Sequence, residues 1–258
     1  MIILENRYLS VRVKEIGAEL CGIYDKQLQK EYMWQPGYEI WDHSSLILFP
    51  NTGRISRDRV IIGGKTHPAT MHGFAWRKEF HIVSCSSEEL VMELYSDNET
   101  RVGFPYEFTL QVIFRLESNR LVQHLNVINR DSRRMYFCLG AHPGFYLPLE
   151  LGESGEDYLI RFDKPQRINR LMTQDGTMLL TGERRVFMDS KREIQLSENF
   201  FNNGPLLLEG LNAGSVMLLS KKSGRFVQMG IQNFPYMPSV LFHVCMKGTD
   251  SELPLYFD

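Results

Sequence analysis

Apolar and polar residues alternate with a period of two in segment after segment of this chain, a pattern that predicts strands. Val11-Arg12-Val13, flanked by Ser10 and Lys14, is the first clear case. Residues 108–116 alternate over a longer stretch, and across Glu117-Ser118-Asn119-Arg120 the run 121–128 returns, which predicts an antiparallel hairpin. Residues 90–95, 135–139, 158–162, 216–219, 226–229 and 240–244 add further strands, with turn residues between them. The Gly63-Gly64 pair within residues 60–66 predicts a second hairpin. Only residues 39–49 have the composition for a short helix, stopped by Pro50. Strands with no intervening helices of about 10–15 residues predict a large antiparallel all-β sandwich, not a βαβ fold.

The 258 residues, 43% of them hydrophobic, can bury a large core. All-β sandwiches of roughly 200–250 residues often form one unit, so a single domain over residues 1–258 is expected. No internal repeat, low-complexity tract or linker interrupts it. The net charge is -2 with both signs mixed along the chain, which gives no footprint for nucleic acid or a membrane surface. A small, weakly charged ligand fits better. Cys21, Cys85, Cys138 and Cys245 are scattered without a Cys-x-x-Cys pair, and three lie in or beside apolar runs. They read as small hydrophobes, not as a disulfide framework. The first residues lack a basic stretch followed by an apolar one, and no apolar run approaches the ~20 residues that span a bilayer. A cytoplasmic protein is expected.

Two histidine-bearing phrases stand out: Met71-His72-Gly73-Phe74-Ala75-Trp76 and Gly140-Ala141-His142-Pro143-Gly144-Phe145. Each sets an imidazole among small or loop-forming residues with an aromatic ring close by. A sugar site needs that combination of a proton carrier, flat apolar surface for C–H faces, and close backbone approach. Arg54 follows the turn residues of Pro50-Asn51-Thr52-Gly53, and its fork of donors suits vicinal hydroxyls or a carboxylate. Trp76, Phe145 and Tyr146 are either core packing or sugar-facing rings. No phosphate-cradling motif, GxGxxG or GxxxxGK[ST], is present.

These phrases, with Leu4-Glu5-Asn6, Gly17-Ala18-Glu19-Leu20, Glu31-Tyr32-Met33-Trp34-Gln35, Leu48-Phe49-Pro50…Gly53-Arg54 and Pro105-Tyr106-Glu107-Phe108, run in an order that resembles the aldose 1-epimerase (galactose mutarotase) family, in its shorter bacterial branch. The resemblance covers nearly the whole chain. It implies an all-β, galactose mutarotase-like β-supersandwich, mostly antiparallel with at most short helices. It also implies cofactor-free interconversion of the α- and β-anomers of a free sugar. Carried over residue by residue, Arg54 and His72 bind sugar hydroxyls and His142 is the general acid at the ring oxygen. Two positions depart from the family. Where it has a glutamate base, this chain reads Pro238-Ser239-Val240-Leu241-Phe242-His243, with Asp250 supporting the register that sets His243 there. Where it has an aspartate gripping the sugar, Phe201-Asn202-Asn203-Gly204 places Gly204; Gln232 stands where tryptophan is common.

A histidine can replace a glutamate as base, because at its ordinary pKa of ~6.5 it is mostly neutral at pH 7. Two nearby imidazoles resist double protonation, so His142 and His243 can share one proton, one as acid and one as base. The leading expectation is therefore an aldose 1-epimerase-like isomerase with catalytic His142 and His243 and substrate-binding Arg54 and His72. The alternative is a non-catalytic carbohydrate-binding protein on the same fold. A metal centre on His67, His72, His142 and His243 is a third possibility. No two of these have the spacing of His-x-His or HExxH, and His67 precedes Pro68 in what reads as a turn. No metal and no cofactor are expected; the expected partner is a small sugar, not nucleic acid or membrane.

Overall fold

The computed structural model describes residues 1–36, 41–174, 177–197 and 206–230 in full, and 239–244 and 253–257 as backbone strands. The chain divides into two compact units, Met1–Pro143 and Gly144–Asp258.

In the first unit, Ile2–Glu5, Leu9–Val13, Leu20–Asp25 and Lys30–Glu31 are antiparallel neighbours in that order. A second sheet joins His81–Cys85, Glu89–Tyr95, Phe108–Glu117 and Arg120–Asn129. The hairpin expected from alternation is present, in register from Phe108 opposite Asn129 to Glu117 opposite Arg120. Its inward positions Phe108, Leu110, Val112, Phe114 and Leu116 are buried, each contributing about 1.5–3 kcal/mol by leaving water. The glycine hairpin is also present: Gly63 and Gly64 both take positive φ between Arg59–Ile62 and Lys65–Pro68. His67 therefore lies on a strand instead of in a turn, with Nδ1 2.9 Å from the Val102 carbonyl.

Two segments depart from the sequence reading. Within the stretch expected to be helical, Ser45–Leu48 is a strand buried at all four positions. Burial on both faces erases any period, so composition alone could not separate the two forms. Residues 135–139 form no strand; the strand starts at Gly140 and runs to Leu147. Tyr136 is exposed and Cys138 spends its N–H on the Pro50 carbonyl at 2.8 Å, so the run has no ladder to join. Residues 140–143 instead pair with Ser45–Leu48, placing His142 opposite Leu46.

In the second unit, Phe226–Gly230, Ser215–Ser220, Tyr158–Thr173, Leu206–Glu209, Ser239–Val244, Leu253–Phe257 and residues 144–147 are hydrogen-bonded neighbours in that order. Leu180–Gln195 pairs along Tyr158–Thr173 with several register shifts. Buried Tyr158, Ile160, Phe162, Leu208 and Leu218 fill its interior. His243 lies on Ser239–Val244 opposite Tyr256, and Tyr256 in turn pairs with Gly144. Gly204, Gln232, Cys245 and Asp250 lie outside the described residues.

Among the described residues the one α-helix is the single turn Thr100–Gly103, and no helix is long and apolar enough to cross a membrane. Cys21, Cys85 and Cys138 are free. Cys21 is buried as a small hydrophobe, whereas Cys85 and Cys138 are exposed.

Phe49 anchors the interior of the first unit: it is fully buried, and its ring meets those of Phe74, Phe104, Phe108 and Phe137 at centroid distances of 5.1–6.0 Å. Phe49→Ala should lower stability by about 3–5 kcal/mol, because the cavity left cannot close around four other rings. Urea unfolding checks this; an unchanged midpoint would show that the cluster does not support the unit.

Candidate functional site

The chain leaves Ser45–Leu48 at Phe49 and Pro50 and turns through Asn51-Thr52-Gly53 into Arg54. A second turn, Thr70 to Phe74, docks on the first. The N–H groups of Phe74 and Ala75 both donate to the Phe49 carbonyl, at 2.9 and 3.2 Å. Gly73 comes so near that a Cβ there would stand 2.1 Å from the same oxygen, and its φ of +73° also excludes most side chains. Asn51 Nδ2 closes the contact on the Thr70 carbonyl at 2.9 Å.

This docking fixes His72. Its N–H donates to the Gly53 carbonyl at 3.0 Å, and the Gly53 N–H donates back to His72 Nδ1 at 3.2 Å. An accepting Nδ1 assigns the proton of the neutral ring to Nε2. Only 7% of His72 is exposed, and burial pushes its pKa down to about 4. At neutral pH His72 is thus an uncharged imidazole that donates from Nε2.

His142 arrives from the other phrase. Its ring is 5.6 Å from that of His72 and perpendicular to it, and 4.9 Å from Trp41 on another side. Two motifs some seventy residues apart therefore converge. Arg54 follows the glycine that holds His72; its side chain is half exposed, with Nε 3.7 Å from the Asp58 carboxylate.

Sequence reading missed three members of this cluster. Trp41 and His43 fall in the stretch read as helix, and Glu19 was noted only as part of a family phrase. Buried Trp34 donates its indole N–H to the Trp41 carbonyl at 3.0 Å, which positions Trp41. The His43 ring meets Trp76 at 5.3 Å and Trp41 at 6.0 Å. Trp76, ambiguous in sequence, is half-buried beside this cluster, with the Arg77 guanidinium 5.0 Å from its ring centroid. Phe145 is buried. Among the described residues, no group of three or more His, Cys, Asp or Glu could hold a metal ion.

Imidazoles and indoles thus gather at strand ends of an antiparallel β protein, a lining of donors, acceptors and flat apolar rings. The chain belongs to the aldose 1-epimerase family, whose model matches residues 1–225. It is 29% identical to protein LacX of Lactococcus lactis subsp. lactis over 240 residues, 90% of this chain and 80% of that one. Its fold is that of a galactose mutarotase related enzyme from Lactobacillus acidophilus, with a TM-score of 0.87, 28% identity, and 99% and 84% of the two chains covered. A galactose mutarotase-like protein from Lactobacillus casei matches at a TM-score of 0.86 and 25% identity, covering 100% of this chain and 87% of that one. The all-β, galactose mutarotase-like fold expected from sequence is the fold observed.

The neutral state of His72 has a pH signature. Unfolded, the side chain takes up a proton near its ordinary 6.5; folded, it does so only near 4. Between those values the unfolded state binds more protons, so stability falls as pH drops through that window, by on the order of 3 kcal/mol. Glu19, held down at about 2, adds a separate loss that begins only below its ordinary value of 4.5. His72→Asn, which suits the positive φ, should flatten the urea-midpoint profile between pH 6.5 and 4.5. A profile as steep as wild type would refute a buried, neutral His72.

Proposed function

We propose that this protein interconverts the α- and β-anomers of a free aldose by general acid/base ring opening. His243 takes the proton of the anomeric hydroxyl as the C1–O bond becomes a carbonyl. The bond between C1 and the ring oxygen breaks, and His142 delivers a proton to that oxygen. Rotation about C1–C2 presents the other carbonyl face, and closure returns both protons by the reverse path. Arg54 and His72 hold hydroxyls of the ring. No group is oxidised, and no cofactor or metal takes part.

The observation that carries this reading is the meeting of His72 and His142, 5.6 Å apart, from separate phrases on the family fold. A neutral His72 offers an N–H donor without adding a positive charge that would oppose protonation of His142. The role of His243 rests on the family resemblance, in which it stands at the position of the glutamate base. We further propose that residues 1–258 act as one domain. The family match crosses the boundary between the two units, and the strand Gly140–Leu147 runs through it. Free Cys21, Cys85 and Cys138 fit a reducing cytoplasm, and the near-neutral charge fits a sugar rather than nucleic acid or membrane.

The replacement of the family's glutamate and aspartate by His243 and Gly204 favours one rival, a carbohydrate-binding protein without turnover. Polarimetry on freshly dissolved α-glucose and α-galactose, with a parallel binding titration, separates the two. The isomerase should accelerate anomer exchange with a bell-shaped pH profile, its two limbs belonging to the histidine pair. His142→Ala and His243→Ala should each lose roughly 10²–10⁴-fold in turnover while retaining much of the sugar affinity. His243→Glu should retain turnover and move the acid limb lower. Saturable binding with no acceleration in wild type, and acceleration gained by His243→Glu, would establish the binding protein instead.

A further inference from the structure

Glu19 has no part in the chemistry above, yet among the described residues it is the most deeply buried carboxylate in the first unit, with 4% of the residue exposed. It follows Gly17 and Ala18, both at positive φ, at the entry to Leu20–Asp25. One oxygen accepts the Ser44 N–H at 2.6 Å and the Ser45 N–H at 3.4 Å; the other takes the Lys14 ammonium at 2.8 Å. Burial alone would raise its pKa, but the nearby His43 ring and the hydrogen bonds from Lys14 and the Ser44 N–H hold it at about 2, so the charge persists. The fourth group turned toward it is His43, whose buried Nδ1 lies 3.6 Å from the carboxylate oxygen.

The rest of the His43 ring is not buried: about a third of the side chain, 31%, remains exposed. Nδ1 has no other hydrogen-bond partner, so the carboxylate is the charge that decides where the proton of the ring sits. A carboxylate at Nδ1 favours the Nδ1–H tautomer and leaves the lone pair on Nε2, as in carboxylate–histidine pairs that orient an imidazole for proton transfer. The ring stands edge-on to Trp76 and Trp41, and Trp41 in turn lies against His142. A ring carrying a hydrogen-bond acceptor thus sits beside two indoles, one ring removed from His142. His72 presents the complementary function, a donor Nε2–H.

We propose that His43, oriented by Glu19, accepts a hydrogen bond through Nε2 from a hydroxyl of the bound aldose, whose C–H face packs on an indole. This rests on the sugar-site reading above and deepens it. His43 and His72 form an acceptor–donor pair set by two different backbone environments, and together they select a hydroxyl pattern. The separation of 3.6 Å suits a pair that tightens when ligand is bound.

Three measurements on the full chain test this. Long-range ¹H–¹⁵N correlation spectra should show His43 protonated at Nδ1 in wild type; a ring protonated at Nε2 alone overturns the proposal. His43→Phe keeps the aromatic packing and removes both nitrogens. It should weaken binding of α-glucose or α-galactose by about tenfold. The same titrations with monodeoxy sugars should find one position whose deletion weakens wild type about tenfold but His43→Phe hardly at all. A structural role would give additive losses at every position, and that result overturns the proposal, as does unchanged affinity in His43→Phe. Wild type that binds no aldose fails the sugar-site reading and this inference together. Wild type that binds normally, with His43→Phe equal to it, fails this inference alone.

Discussion

The close approach of Gly73 to the Phe49 carbonyl is the constraint on which the site depends. That one oxygen accepts two N–H groups, and the space beside it admits no Cβ. The same peptide belongs to the residue whose ring closes the phenylalanine cluster of the first unit. Core and site therefore share one piece of backbone. Displacing the turn costs buried apolar contact as well as hydrogen bonds, so the His72 ring is held with the rigidity of the core although it sits on a loop. Its tautomer follows from the same docking, because the Gly53 N–H faces Nδ1 only when the two turns are in place.

How the imidazoles differ is then a matter of neighbours. His72 is buried against a backbone donor, which keeps it neutral and makes Nε2 a donor. His43 has a buried carboxylate at Nδ1, the opposite polarity, although both histidines lie in the same ring cluster. His142 touches Trp41 and His72 by ring contact. Sequence does not tell these three environments apart. The distinction comes from which backbone and side-chain groups the strand pairing brings beside each ring, and no local pattern encodes that.

The same reasoning marks what could be read beforehand. Hairpins are local, so residues 108–128 and the turn at Gly63-Gly64 were legible from alternation and turn chemistry. Ser45–Leu48 was not, because a strand buried on both sides shows no period, and its partner lies near residue 140. Residues 135–139 form a continuous apolar run but find no ladder, which shows that composition permits a strand and pairing makes one. Arg54, His72 and His142 could be picked from their phrases, since turn residues around a reactive side chain are a local signal. Trp41, His43 and Glu19 could not be picked. Each is ordinary in its own stretch and gains meaning only from contacts some twenty to a hundred residues away.

Charge placement links these observations. A carboxylate within reach of a sugar must be kept ionised and yet partly desolvated, which is costly unless several donors meet it. Here the deeply buried carboxylate, Glu19, is set one step back, where two N–H groups and Lys14 compensate it, and an imidazole stands between it and the ring cluster. Such an arrangement sets an imidazole, and not the carboxylate itself, among the indoles. A neutral imidazole nitrogen accepts one bond in one direction, whereas a carboxylate accepts several from a wide range. Setting a carboxylate behind an imidazole therefore trades tolerance for direction.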